Sequence, residues 1–256
     1  MIEVRGLHKS FDGNEVLKGI DVDLYNGKVN QIIGLSGSGK TVLMKSIIGL
    51  FRIDKGTIKY HGRNLPDMRK KEVKLLRREV GMLFQGAALF DSLTVLDNVL
   101  YPLEMFARDM TRIEREKRAK FCLSRVNIDA TKYGLLPAEI SGGMQKRVAI
   151  ARAITLNPKY LFCDEPNSGL DPVTSIVIDR LIQDITCEYD ITTVINTHDM
   201  NSIMEIGDHI VLISKGHKVW QGDRTEVFSS DNEYLNEFVF ASELFTRVKD
   251  AVNNSK

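Results

Sequence analysis

Apolar residues recur along this chain in two rhythms, and their order predicts strands alternating with helices. At the start, Ile2 and Val4 alternate with polar neighbours, and Phe11-Asp12-Gly13-Asn14 and Asn26-Gly27 read as turns. Residues 1–27 are therefore expected to form short strands. Val29 to Ile33 is a strand running straight into a glycine-rich loop. Beyond Thr41, the apolar residues Val42, Leu43, Ile47, Ile48 and Leu50 suit a buried helix that ends near Gly49. Gly81 to Phe84 predicts another buried strand, leading to Gln85.

From about residue 90 to 155 the period becomes helical. Thr111 and Glu114 have the spacing of a capping box before a charged helix, whose Arg115, Glu116, Lys117, Arg118 and Lys120 read as an exposed arm. Pro137 breaks the chain, and Ser141 is placed to cap a helix with Val148, Ala151 and Ile154 on one face. Tyr160 to Cys163 is apolar throughout, as a strand buried on both faces requires. A helix around Ile176 to Ile185 and strands at Thr192 to Asn196, Ile210 to Ser214 and Lys218 to Gln221 complete the pattern. The expected fold is α/β, with a mainly parallel sheet and the stretch 90–155 as an inserted helical lobe. The core then comprises 1–89 and 156–225. A tail, 226–256, carries an apolar stripe of Leu235, Phe238, Phe245 and Val248. Packing on its own core and clasping a second copy are both open to it.

Composition narrows the function classes. The 256 residues are 43% hydrophobic and 27% charged, with net charge +1, which recommends neither nucleic acid nor an acidic substrate. The basic run between Arg69 and Arg78 reads as a solvated helix face. Three cysteines without close pairs suit a reducing compartment. No apolar run approaches the roughly 20 residues needed to cross a bilayer. The first residues lack a signal-peptide pattern, so a cytosolic chain is expected.

The chemistry is concentrated in a few segments. Gly34-Leu35-Ser36-Gly37-Ser38-Gly39-Lys40-Thr41 has the form G-x-x-x-x-G-K-T between a strand and a helix. In such a loop backbone N–H groups turn inward around phosphate, the lysine reaches the terminal phosphates, and the threonine hydroxyl suits Mg²⁺. Asp164 and Glu165 follow a buried strand, whose end is expected beside that loop. Asp164 is suited to hold Mg²⁺ and Glu165 to orient the attacking water. His198, after the strand Thr192 to Asn196, is a candidate contact for the γ-phosphate. Ile140-Ser141-Gly142-Gly143-Met144-Gln145 offers phosphate a second helix N-terminus. One chain cannot easily bring both loops to one nucleotide, so ATP held between two copies is expected.

The ordered set formed by the phosphate loop, Gln85, Ile140-Ser141-Gly142-Gly143, Cys163-Asp164-Glu165-Pro166, Ser168-Gly169-Leu170-Asp171 and His198 resembles the nucleotide-binding subunit of ABC transporters over residues 1–225. The resemblance implies a P-loop NTPase of RecA-like topology with an N-terminal antiparallel β subdomain. It implies that Phe11 stacks on adenine and that Gln85 meets Mg²⁺ or water. It further implies that Ser141, Gly142 and Gly143 close on the partner copy's nucleotide, and that Asp171 passes contacts across the dimer. Met144 stands where that signature usually has glutamine. With Gly81 to Phe90 and Asp97 to Leu103, this variant is similar to the Mla-type, Mce-associated phospholipid transport ATPases. Implied partners are a second copy, a membrane permease seated near Gln85–Tyr101 over Leu89, Phe90, Leu93 and Tyr101, a lipid-binding Mce-type subunit and a small accessory subunit. The implied place is the cytoplasmic side of the inner membrane. The alternatives are a soluble ABC ATPase remodelling a cytosolic complex of the iron–sulfur assembly type and an ABC transporter ATPase for another substrate.

Overall fold

A computed structural model describes residues 1–239. In chain order the elements are β1 (Ile2–Phe11), β2 (Asn14–Leu24), β3 (Val29–Ile33), α1 (Lys40–Ile48), β4 (Lys55–Tyr60), β5 (Arg63–Asn64), α2 (Lys70–Arg78) and β6 (Val80–Leu83). There follow α3 (Val95–Phe106), α4 (Arg112–Arg125), α5 (Gly142–Ile154), β7 (Tyr160–Asp164), α6 (Pro172–Tyr189) and β8 (Thr192–Thr197). The last are α7 (Met200–Ile206), β9 (His209–Ser214), β10 (His217–Gly222), α8 (Arg224–Ser229) and α9 (Glu233–Val239). No helix among the described residues is long and apolar enough to cross a membrane. The chain divides into two compact units, Met1–Met68 with the described residues from Val194 onward, and Arg69–Thr193.

In the first unit, the start of the chain is an antiparallel sheet ordered β2-β1-β4-β5. Asp12 and Gly13 both have positive φ, 49° and 80°, the geometry a two-residue hairpin loop needs. The strands it joins are longer than the short ones expected, because bulges after Val4 and Lys9 let them keep pairing while they twist. β4 and β5 carry no clean alternation, which is why the pattern passed over them. In this unit's second sheet β3 pairs with β9 in parallel, Ile32 opposite Val211, and β9 pairs antiparallel with β10. α1 buries Leu43, Met44, Ile47 and Ile48 and stops at Gly49, whose φ of 80° supplies the left-handed C-cap. Leu50, expected in the core, is 51% exposed because it lies beyond that cap.

The tail's described part is fastened to this unit. Leu235 and Val239 join Ile33, Ile210, Leu212 and Val227 in one buried cluster, with Phe238 and Trp220 against it. Phe245 and Val248 lie outside the described residues.

In the second unit, β6 and β7 pair in parallel, Leu83 opposite Cys163. α3, α4 and α5 pack on one another between them in sequence. Thr111 and Glu114 form the capping box of α4, and Ser141 caps α5 by accepting from the Met144 N–H at 3.3 Å. Arg118 is not part of an exposed arm. Its guanidinium donates to the Ile154 and Thr155 carbonyls at 2.9 and 3.0 Å and so caps the C-terminus of α5. α6 runs from Pro172, earlier than expected, because Asp171 accepts from Thr174 N–H and proline suits the first helical position.

Candidate nucleotide site

The phosphate loop lies wholly in the first unit. Gly34, Gly37 and Gly39 have φ of 145°, 79° and 109°, in the region that favours glycine. Space adds a second constraint: a Cβ on Gly34 would lie 2.2 Å from the Ile213 carbonyl oxygen, and one on Gly39 3.0 Å from Leu17 Cδ2. Lys40, only 7% exposed, donates from Nζ to the Gly34 and Leu35 carbonyls at 2.8 and 3.1 Å. The loop thus holds its own cation in place. Ser38 Oγ is buried with no protein hydrogen-bond partner, a hydroxyl left to meet a ligand oxygen. Ser36 and Gly37 are exposed, and Thr41 is half-buried at the start of α1. This arrangement fits a phosphate chain: N–H groups, a hydroxyl and an ammonium on one turn, and no carboxylate among residues 34–41.

Phe11, at the end of β1, is 37% exposed and packs edge-on against Phe51 with centroids 5.2 Å apart. Lys9 Nζ stands 4.9 Å from its ring centroid while bridging to Asp54 at 3.1 Å. The pattern of residues gave no hint of Phe51 or Lys9 beside this ring. His198 is exposed after β8; Asp199, next to it, donates its N–H to Thr197 Oγ1 at 3.0 Å and caps α7.

The other candidates lie in the second unit. Asp164 ends β7 almost buried, and Glu165 follows at φ 47°, a left-handed conformation that costs a non-glycine residue about 1–3 kcal/mol. Gln85, exposed after β6, donates from Nε2 to Ser168 Oγ at 3.2 Å. That joins it to the turn between Glu165 and Asp171. Asp171 accepts from Thr174 Oγ1 and N–H, which holds its carboxyl below the usual range. The start of α5 meets the first turn of α6: a Cβ on Gly143 would be 2.6 Å from Thr174 Cγ2. Ser141 and Gly142 are exposed at the N-terminus of α5, where the Met144 N–H is taken by Ser141 Oγ.

Sequence reasoning missed Lys146. It is 4% exposed and its ammonium donates to the Gln85 carbonyl oxygen. Burial lowers its pKa, with the Glu165 carboxylate pulling the other way. The available signal was a lysine one turn before the buried Ile150, on a helix that also buries Ala149.

The oxygen donors are divided between the units: Thr41 offers a hydroxyl in the first, and Asp164 and Gln85 offer a carboxylate and an amide in the second. Among the described residues no group of three or more His, Cys, Asp or Glu could hold a metal unaided. Within each unit these are donors of the type Mg²⁺ takes, an ion that keeps water and substrate phosphates as most of its ligands.

Residues 17–168 match the family model described as ABC transporter. Among curated proteins, the chain is 37% identical over 239 residues to "Probable ribonucleotide transport ATP-binding protein mkl" of Mycobacterium leprae (strain TN), covering 93% of this chain and 68% of that protein. It is 39% identical over 245 residues to "Methionine import ATP-binding protein MetN" of Clostridium tetani (strain Massachusetts / E88), covering 95% and 76%. Among solved structures, the dimeric post-hydrolysis state of the ATP-binding cassette MJ0796, bound to ADP and Pi, superposes with a TM-score of 0.80 at 30% identity. It covers 88% of this chain and 99% of that one.

Proposed function

The chain belongs to the ABC transporter family as an ATP-hydrolysing cassette, and on that premise we propose that it powers phospholipid transport between bacterial membranes by ATP-driven closure of two copies. The observation that supports the closure is the exposure of Ser141 and Gly142 at the N-terminus of α5. A helix N-terminus with exposed N–H groups favours anions, and a second copy's nucleotide supplies one.

In this reading Phe11 stacks on adenine, and Gly34 to Thr41 wrap the phosphates with Lys40 turned from its own carbonyls to the terminal oxygens. Ser141 and Gly143 of one copy close on the γ-phosphate held by the other, and Asp171 sits at the seam. Glu165 orients and polarises the attacking water, with His198 on the γ-phosphate and Gln85 on the water. Thr41, Asp164 and Gln85 would hold Mg²⁺, which supplies charge neutralisation for phosphoryl transfer. ATP favours closure because those contacts exist only in the closed state. The cassette is residues 1–225, with a helical lobe of about 90–155 and an extension from 226.

A permease completes the machine from the cytoplasmic side of the inner membrane. Its seat is the groove of Leu89, Phe90, Leu93 and Tyr101, supported by the exposed Phe90 and Tyr101 rings with centroids 4.7 Å apart, while Leu89 and Leu93 are half-buried and Phe84 is a further exposed ring nearby in sequence. Phospholipid cargo, with Mce-type and accessory subunits, is supported by Gly81 to Phe90, Asp97 to Leu103 and Met144.

Two experiments test this. Glu165→Gln with saturating Mg-ATP is expected to accumulate closed dimers by light scattering while turnover falls by about 10²–10⁴-fold; a monomeric variant would end the sandwich mechanism. For cargo, the native membrane complex is purified and its lipids and small solutes are identified by mass spectrometry. Methionine or a nucleotide co-purifying without phospholipid would overturn the lipid assignment.

A further inference from the structure

α5 does more than carry Ser141. Its Lys146 ammonium donates to the Gln85 carbonyl, and further along the helix Arg152 donates to the carbonyls of Ala87 and Ala88 at 2.8 and 2.7 Å. Lys146 is buried and Arg152 half-buried, and partial loss of water lowers both pKa values. Removing a charge from solvent is expensive unless hydrogen bonds and opposite charge compensate it. For Lys146 the compensation is the Gln85 carbonyl and the Glu165 carboxylate; Cys163, pushed up by burial, stays a neutral thiol.

The segment they grip is under strain. Ala87 and Ala88 are both left-handed, φ 61° and 50°, without the freedom of glycine. Such backbone persists only where its surroundings over-determine it, and it relaxes when they are cut. On the outer side the same segment carries Phe84 and Phe90. The Phe90 centroid lies 5.9 Å from the Arg152 guanidinium carbon.

We propose that Lys146 and Arg152 are positioning residues that fasten residues 85–88 to the helix opened by Ser141. Pressure on the Phe84, Phe90 and Tyr101 face and placement of Ser141 on a phosphate then become one movement. The proposal rests on the ATP-sandwich reading for its purpose, but the fastening itself is a property of the single chain.

The test therefore has two arms. In the full-length chain without nucleotide, amide hydrogen exchange across residues 84–90 is expected to quicken at least tenfold in Lys146→Met. Exchange in β7 should stay unchanged, and Lys146→Arg should restore the wild-type rate. Unchanged exchange at 84–90 overturns the proposal whatever the dimer does. In the complete transporter, permease-stimulated kcat is expected to fall at least tenfold in Lys146→Met with KM for ATP within twofold, again rescued by Lys146→Arg. Full stimulation in Lys146→Met also overturns it. A wild-type chain with no partner-stimulated turnover instead counts against the ATP-sandwich reading, and the exchange arm still decides the fastening. Should Lys146→Met fail to fold, the double variant Ala87→Gly, Ala88→Gly relaxes the same segment without removing a charge. It is expected to show the same faster exchange and lost stimulation; wild-type behaviour in both would refute the fastening.

Discussion

The phosphate loop and the segment after Gln85 both leave the end of a buried strand, yet they are held in opposite ways. In the first, each left-handed position is a glycine, and the lysine folds onto carbonyls five and six residues away. In the second, the left-handed positions are alanines, and the restraining cations come from 61 to 65 residues away. The first is relaxed and complete in itself, as a ground-state binding loop should be. The second is strained and depends on another helix, which suits a part that has to report movement.

The comparison breaks most severely at Lys40. If the loop's own cation is what meets the terminal phosphates, Lys40→Ala should weaken ATP binding by about 2–5 kcal/mol, as loss of one partner from a buried charge pair does. Titration calorimetry measures this directly; affinity within threefold of wild type would show that backbone N–H groups suffice.

A matched pair of exchanges sharpens the contrast. Gly39→Ala places a methyl at φ 109° and 3.0 Å from Leu17, and is expected to destabilise the fold by about 1–3 kcal/mol. Ala88→Gly relieves strain in the folded chain but adds freedom to the unfolded one, and is expected to change stability by less than about 1 kcal/mol. Urea unfolding of both variants decides it. Equal losses would mean that the two loops do not differ in strain.

Phe11→Ala is expected to cost ATP affinity about 1–3 kcal/mol through lost stacking, with Phe11→Tyr retaining it. Binding of ATP compared with inorganic triphosphate separates stacking from phosphate contacts; an equal loss for both ligands would remove adenine from the role of Phe11.

What was legible in the sequence follows from range. The spacing of Gly34, Gly37 and Gly39, the capping box of Thr111 and Glu114 and the buried run Tyr160 to Cys163 are local patterns, each set by φ, by a nearby N–H or by apolar burial. Helix α1 was legible to its end at Gly49, but Leu50 was assigned to the core because periodicity ignores where a cap turns the chain outward. Arg118 read as part of a solvated arm because nothing near it in sequence shows that its partners are the last carbonyls of α5.

The sequence by itself determined the fold class and the chemical inventory of this protein, because glycines, carboxylates and apolar periods act through neighbours a few residues away. The tertiary structure alone decided which of those parts are tied together. The grip of Lys146 and Arg152 on residues 85–88, the seating of Gly143 against Thr174 and the docking of Leu235 on its own core all join residues far apart in the chain. Buried charge and close packing depend on what surrounds a residue in space, and spacing along the chain carries no record of that.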